Sequence, residues 1–318
     1  MIRFLMVLCI AMHLGTLAAQ TYPSKPIRLV VGYGTGGVAD TMARLVAQKL
    51  TESMGQPVIV ENRPSAGGIV AGDLVAKANP DGYTLLFFHS GMAISAALFR
   101  KLPFDVKKDF EPIANMGGFD LVVLVDKSSD VKTMADFMAK ARANPDKTNI
   151  GTVSIGSTQH MAATLFKSIT GVDAPVVPYK TTPVLFSAMK GKDIDVVFEM
   201  LSPALGLIRG GELRAVAVSS GKRFAGLPDV PTMMESGVKD FDVNAWNGLA
   251  APAKTPKAII DRLNKEVNAV LALPDVQKRF QDLGIDPRGG TSAELRNKMS
   301  NEVDKWTNLV STMNMERQ

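Results

Sequence analysis

One pattern recurs along this chain and restricts it more than any other. A short apolar run leads into a glycine-containing turn, and apolar residues at helical spacing follow. Ile27 to Tyr33 is such a run and reads as a buried strand. Val38, Met42, Leu45, Val46, Leu50 and Met54 then recur with the period of a helix that buries one face. Val58 to Val60 predicts the next strand and Ile69 to Ala78 the next helix. Thr84 to Phe88 predicts a third strand, closed by His89-Ser90. Strands joined through helices must pair in parallel, so this order implies a parallel sheet with helices on both faces.

The pattern restarts after Leu121–Val125. Helical spacing covers Thr133 to Ala143, Ser157 to Ile169, Thr182 to Lys190 and Pro203 to Arg209. Strand-like runs lie between them at Asn149–Thr152, Ala174–Val177, Val196–Phe198 and Leu213–Ser219. A Gly/Pro-rich stretch, Gly226 to Pro231, breaks the alternation. From Pro256 the chain reads mostly as helix, and Thr291 with Glu294 has capping-box spacing at the start of the last one. Two successive α/β units and a helical tail predict two lobes. Crossovers are expected near Leu121–Asp126 and Asp242–Trp246.

The first residues read as a secretory signal. Arg3 is a short positive region, Phe4 to Leu17 is almost wholly apolar, and Ala18-Ala19 offers small residues for cleavage near Ala19 or Gln20. That run is shorter than the ~20 residues a membrane span needs. The single cysteine, Cys9, falls inside it, so the exported chain is expected to carry neither a disulfide framework nor a thiolate metal site. With Arg3 removed the net charge is about +4, mixed along the chain without a basic block, which argues against nucleic acid as a partner.

The glycine turns carry the chemistry. Gly32-Tyr33-Gly34-Thr35-Gly36-Gly37 satisfies G-x-G-x-x-G between a strand and a helix, and Glu61 ends the next strand near the spacing of a ribose-binding acid. An exported nicotinamide-dependent oxidoreductase is therefore the rival reading. The simpler use of these glycines is to let backbone N–H groups at a helix N-terminus approach an anion such as a carboxylate. Ser65-Ala66-Gly67-Gly68 and Ser154-Ile155-Gly156-Ser157-Thr158-Gln159-His160 occupy the same kind of junction. Asp40 in a first helical turn also suits the dipole without any ligand, and Ser157 or Thr158 also suits an N-cap. Thr152 to Gly156 lacks the first glycine of a nucleophile elbow, which weakens a serine-hydrolase reading from Ser157 and His160. After the signal only His89 and His160 remain, too few for a three-histidine zinc site. Asp193 and Asp195, read on a short strand, make a poor glycosidase pair.

With those residues in view, the chain resembles the Bug or TctC family, extracytoplasmic receptors of tripartite tricarboxylate transporters. The likeness runs from Tyr22 to the last helix. Its markers are Tyr22-Pro23-Ser24-Lys25-Pro26-Ile27-Arg28, Gly36-Gly37 with Asp40 and Ala43-Arg44, Gly55-Gln56-Pro57-Val58, and Val60-Glu61-Asn62-Arg63-Pro64 with Ala66-Gly67-Gly68. Pro80-Asp81-Gly82-Tyr83-Thr84, Gly156-Ser157 with His160, Val177-Pro178-Tyr179-Lys180, Leu227-Pro228-Asp229-Val230-Pro231-Thr232 and Leu249-Ala250-Ala251-Pro252 follow in order.

The resemblance implies a two-lobed periplasmic-binding-protein fold, a type II Venus flytrap of α/β class with a helical C-terminal tail. After a signal at 1–20, residues 21–124 with 246–318 would form lobe 1, and residues 125–245 lobe 2. It implies a monomeric, non-enzymatic periplasmic receptor without cofactor or metal, working with membrane permease subunits. The ligand would be a di- or tricarboxylate, an acidic amino acid or an aromatic acid. Gly36, Gly37, Asp40, Ala66, Gly67, Gly68, Ser157, Thr158, Gln159 and His160 map to its cleft. The chain departs from the family at Gly34-Thr35, at Ser154, and at Thr181-Thr182 after Tyr179-Lys180.

Overall fold

The computed structural model describes residues 22–317. The leader and Cys9 lie outside them. Strand β1 (Ile27–Val31) pairs in parallel with β2 (Val58–Asn62) on one side and β3 (Thr84–His89) on the other. Helix α1 (Val38–Met54) joins β1 to β2, and α2 (Ile69–Ala76) joins β2 to β3. Helix α1 buries Met42, Ala43, Val46 and Leu50 and stops at Gly55, whose left-handed φ of 72° lets its N–H reach the Thr51 carbonyl.

After α3 (Gly91–Leu98) comes β4 (Phe110–Asp126), a 17-residue strand that belongs to both halves of the molecule. From Phe110 to Asp120 it pairs with β9 (Asn244–Pro252), and over Asn115–Phe119 also with β10 (Ile285–Gly289). From Leu121 it changes partners to β7 (Val196–Met200) and β8 (Leu213–Val218). The second half is completed by α4 (Met134–Ala143), β5 (Ile150–Val153), α5 (Thr158–Thr170), β6 (Val176–Tyr179), α6 (Thr182–Lys190) and α7 (Leu201–Arg209). The main strand order is β2-β1-β3-β9-β4-β7-β5-β6. The chain ends with α8 (Lys257–Leu271), α9 (Pro274–Asp282) and α10 (Ser292–Thr312). Ser219 ties the two crossings together: its hydroxyl donates to the Val243 carbonyl at 2.5 Å and accepts from the Leu121 N–H at 3.0 Å.

Each half has an apolar layer of its own, under α1, α8 and α9 in one and under α6 and α7 in the other. A third cluster runs continuously through both halves, from Val30 and Phe88 through Phe110 and Trp246 to Phe198 and Phe166. Among the described residues, no helix is long and apolar enough to cross a membrane.

Several expectations need correcting. The sheet is mixed, because β9 runs antiparallel to β3 and β4 runs antiparallel to each of its partners. Leu121–Asp126 is strand rather than link, and Asn244 already begins β9. Strand β4 and strand β9 are almost wholly buried, so neither shows the alternation that marks a half-buried strand. Helix α3 follows His89-Ser90 where no helix was expected. Its Gly91-Met92-Ala93-Ile94-Ser95-Ala96-Ala97-Leu98 is apolar on nearly every side because neighbours cover it nearly all round. Strand β10 interrupts the helical tail. Asp193 and Asp195 precede β7 instead of lying on it, and Asp195 serves Lys140 at 3.0 Å and the Asn149 N–H at 2.8 Å.

Candidate functional site

Parallel pairing delivers the ends of β1, β2 and β3 to one edge of the first half, and the loops that follow them meet there. A Cβ on Gly32 would lie 2.8 Å from the Gly68 Cα, so the β1–α1 and β2–α2 loops touch through their backbones. Gly68 has φ +70°, and a Cβ there would lie 2.6 Å from His89 Nε2. His89 ends β3, is 2% exposed, and lies 2.9 Å through Nδ1 from the Tyr33 hydroxyl. Burial pushes its pKa down to about 4, so it supports the loops as a neutral ring.

The β1–α1 loop itself is exposed from Tyr33 to Gly37 and is held from below by Asp40. Asp40 accepts from the Gly36 N–H and from Arg44 Nε, both at 2.9 Å, while its other oxygen accepts from Asn62 Nδ2 at 2.9 Å. Burial alone would raise this carboxyl; the bonds from Arg44, Gly36 and Asn62 outweigh it and hold it below the usual carboxylate range. Asp40 and the Gly36 N–H therefore satisfy each other. Gly37 is the N-cap of α1, with ordinary φ of −78° and open space where a Cβ would go. The first α-helical backbone bond here is Thr41 N–H to Gly37 carbonyl, which leaves the preceding amides of the first turn outside the helical ladder. In the second loop Ala66, Gly67 and Gly68 form one 3₁₀ turn, with Gly67 against Ser95 of α3. Ser65 caps this turn, its hydroxyl accepting from Val70 N–H at 3.0 Å.

The second half repeats the arrangement with side chains. Ser157 is the N-cap of α5; its hydroxyl accepts from the His160 N–H at 3.1 Å and donates to the Val153 carbonyl at 2.9 Å. Its own N–H reaches the Ser154 carbonyl. Thr158 and Gln159 follow, 8% and 7% exposed. Gln159 Nε2 donates to Glu199 Oε1 at 2.6 Å. Glu199 is 1% exposed and also accepts from the Met200 N–H at 2.7 Å and the Thr182 hydroxyl at 2.8 Å. One buried carboxylate thus locks the first turns of α5 and α6 to the end of β7. Glu199 was missed in the sequence, where it is a single acid closing the apolar run Val196–Phe198. His160 Nδ1 is buried without a protein partner, and burial lowers its pKa.

The two sets of loops converge on α3. Gly67 lies against Ser95, and one turn further a Cβ on Gly156 would lie 3.0 Å from Leu98 Cδ1. The β2–α2 and β5–α5 loops therefore meet at this helix, and the β1–α1 loop that carries Gly36, Gly37 and Asp40 joins the first of them through the contact of Gly32 with Gly68. Exposed apolar side chains flank both: Tyr33 and Val70 in the first half, Ile155 and Val184 in the second.

The enzyme readings find little chemistry here. Glu61 is gripped by Arg28 and Arg63, at 2.7 Å each, instead of facing the glycine loop. Ser157 Oγ bonds a carbonyl and a backbone amide, not an imidazole. Among the described residues no group of three or more His, Cys, Asp or Glu side chains is placed to hold a metal.

Comparison with known proteins gives a consistent picture. The model of the tripartite tricarboxylate transporter family receptor matches residues 42–315. Protein BugT of Bordetella pertussis is 33% identical over 92% of this chain and 91% of its own length. The structure titled R. palustris Rpa4515 with adipate is 30% identical, with a TM-score of 0.80 over 93% of this chain and 100% of that one. MatC from Rhodopseudomonas palustris, solved with bound malate, is 31% identical, with a TM-score of 0.76 over 91% of this chain and 100% of that one.

Proposed function

The chain belongs to the tripartite tricarboxylate transporter receptor (TctC) family, and from that premise we propose that it captures a small carboxylate between two lobes and presents it to a membrane permease. The observation that carries this reading is the convergence on α3 of anion-suited loops from both halves. Backbone amides at Gly37 and Gly67 face the ligand from one side, and Thr158 faces it from the other, on a turn that the Gln159–Glu199 bond holds in place. Helix N-termini favour an anion without a full positive charge, which keeps capture reversible. A ligand that touches both lobes stabilises the closed form through its differential affinity, and the permease reads that form. We take the lobes as residues 21–124 with 246–318 and residues 125–245. The change of partners in β4 at Leu121 and the pairing of Asp120 with Asn244 support that division to within four residues.

Relatives solved with adipate and malate favour a dicarboxylate here. The exposed Tyr33, Val70, Ile155 and Val184 suit a ligand with a hydrocarbon body between its acid groups. The receptor acts outside the cytoplasm after cleavage near Ala19 or Gln20, as a monomer and without turnover of its ligand.

A thermal-shift screen of carboxylates, after native mass spectrometry of the protein as purified, tests the reading. Adipate, malate, citrate, glutamate and benzoate cover the candidate classes. The expected result is saturable stabilisation of about 3 kcal/mol at a hundredfold excess over Kd, lost when the acid is replaced by its methyl ester. Stabilisation by a nicotinamide dinucleotide and by none of the acids would overturn it. N-terminal sequencing of the exported form tests the cleavage.

A further inference from the structure

Where the halves join, the sheet has two faces. Phe110 of β4 belongs to the apolar layer that includes α3, while Ile113 and Phe119 belong to the layer under α1, α8 and α9. The loops assigned to the ligand meet on the first face, at α3. On the second face the halves touch again. Ser202, in the first turn of α7, donates its hydroxyl at 2.6 Å to the carbonyl of Leu283, which follows α9 in the other half. Gly284 permits this approach: its φ is +70°, and a Cβ there would lie 3.0 Å from Ser202 Oγ. Outside the crossings at Leu121–Ser219 and Asp242–Asn244, this is the one hydrogen bond that joins the two halves among the described residues. Both partners are anchored close to the point where β4 passes between the halves. Met200, two residues before Ser202, pairs with Leu121 and gives its N–H to the buried Glu199. Ile285, two residues after Leu283, pairs with Phe119.

We propose that the Ser202–Leu283 contact is a latch that favours the open cleft, which makes Ser202 a positioning residue for capture from the face opposite the ligand. The proposal rests on the two-lobed capture proposed above. The arrangement described here is an open one, since residues 33–37 of the first half and Ile155 and Val184 of the second are exposed. The crossing strands lie between the two faces, so turning the halves about them narrows the α3 side as it widens the Ser202 side. Closing the cleft therefore breaks the bond. A ligand that needs the closed form binds with an apparent affinity scaled by the fraction of protein already closed. Removing a contact made only in the open form raises that fraction and tightens binding. Removing a bond that merely supports the fold does not.

Two measurements on the exported protein test this: calorimetry with adipate, and small-angle X-ray scattering without any ligand. Ser202→Ala removes the bond, and Ser202→Leu sets a wedge on the same face. Ser187→Ala is the control, because it removes a like bond, from a serine hydroxyl to the Pro183 carbonyl, inside α6. Adipate affinity should rise roughly three- to fivefold in Ser202→Ala and further in Ser202→Leu, while Ser187→Ala matches the parent. Ligand-free Ser202→Leu should have a smaller radius of gyration than the parent. Parent-like or weaker affinity in both Ser202 variants, with circular dichroism unchanged, would overturn the latch. The scattering separates this from a wrong choice of carboxylate. If adipate leaves the parent unbound, a smaller radius in Ser202→Leu still supports the latch, and an unchanged radius overturns it.

Discussion

The two halves build similar loops from different materials. In the first, the surface we assign to the ligand is backbone, and the groups that hold it are close in sequence: Asp40 lies four residues from the Gly36 amide it accepts from. In the second, the surface includes side chains, and the group that holds it is distant, since Gln159 bonds Glu199, 40 residues on. The difference teaches where each half is vulnerable. A backbone surface fails when a side chain is added, and a side-chain surface fails when its buried anchor is removed.

The sharpest contrast lies inside the first half. Gly68→Val forces a β-branched residue to φ +70° with its Cβ against His89, whereas Gly37→Val puts a side chain into open space at ordinary φ. Gly68→Val should therefore cost about 4 kcal/mol of stability, from left-handed strain plus overpacking. Gly37→Val should cost no more than about 1 kcal/mol by urea denaturation, the loss of a tolerated N-cap residue. Equal midpoints for the two variants would remove the distinction. It follows that Gly37 is the clean probe of ligand approach and Gly68 is not.

In the second half the largest effect belongs to Glu199. Glu199→Ala strands the Gln159 amide, the Thr182 hydroxyl and the Met200 N–H in a buried place, and should cost about 3 kcal/mol. Hydrogen exchange should rise at the first turns of α5 and α6 while α1 stays protected. Uniform loosening of both halves would break the comparison.

Acidification should tell on both halves, since burial lowers the pKa of His89 in the first and of His160 in the second. His89 has a folded pKa of about 4 against an ordinary value near 6.5, so the unfolded chain takes up its proton first. Its contribution is full above about 6.5 and is lost as pH falls through about 4, on the order of 3 kcal/mol at most. Asp40, held below the usual carboxylate range, loses its share only at still lower pH. His89→Asn should flatten the stability–pH curve between about 6.5 and 4, measured by denaturation at each pH. A curve with the parent's slope would show that His89 is not the group responsible.

Much of this was readable before the structure, for reasons that differ by residue. The G-x-G-x-x-G turn, the period of α1 and the Thr291–Glu294 cap are local patterns, and local geometry realises them. Strand β9 was hidden because Asn244–Pro252 is held by long-range pairing with β3 and β4, which overrides weak strand propensity. Glu199 was hidden because nothing within its own strand distinguishes an anchoring acid from a solvated one. The ten cleft candidates were visible as loops, but which of their polar atoms are already spent was not. Asp40 with Gly36, and Ser157 with Val153 and His160, are engaged internally. The Gly37 amide and the Thr158 hydroxyl, by contrast, belong to the surface we assign to the ligand.

The most direct measurement is calorimetry of the best-binding dicarboxylate with Gly37→Val and Thr158→Val, one probe from each half. The account predicts about a tenfold loss for Gly37→Val and a loss of about 1 kcal/mol for Thr158→Val, with unchanged circular dichroism. Parent-like affinity in both folded variants would mean that these loops are turns only and that the carboxylate is held elsewhere.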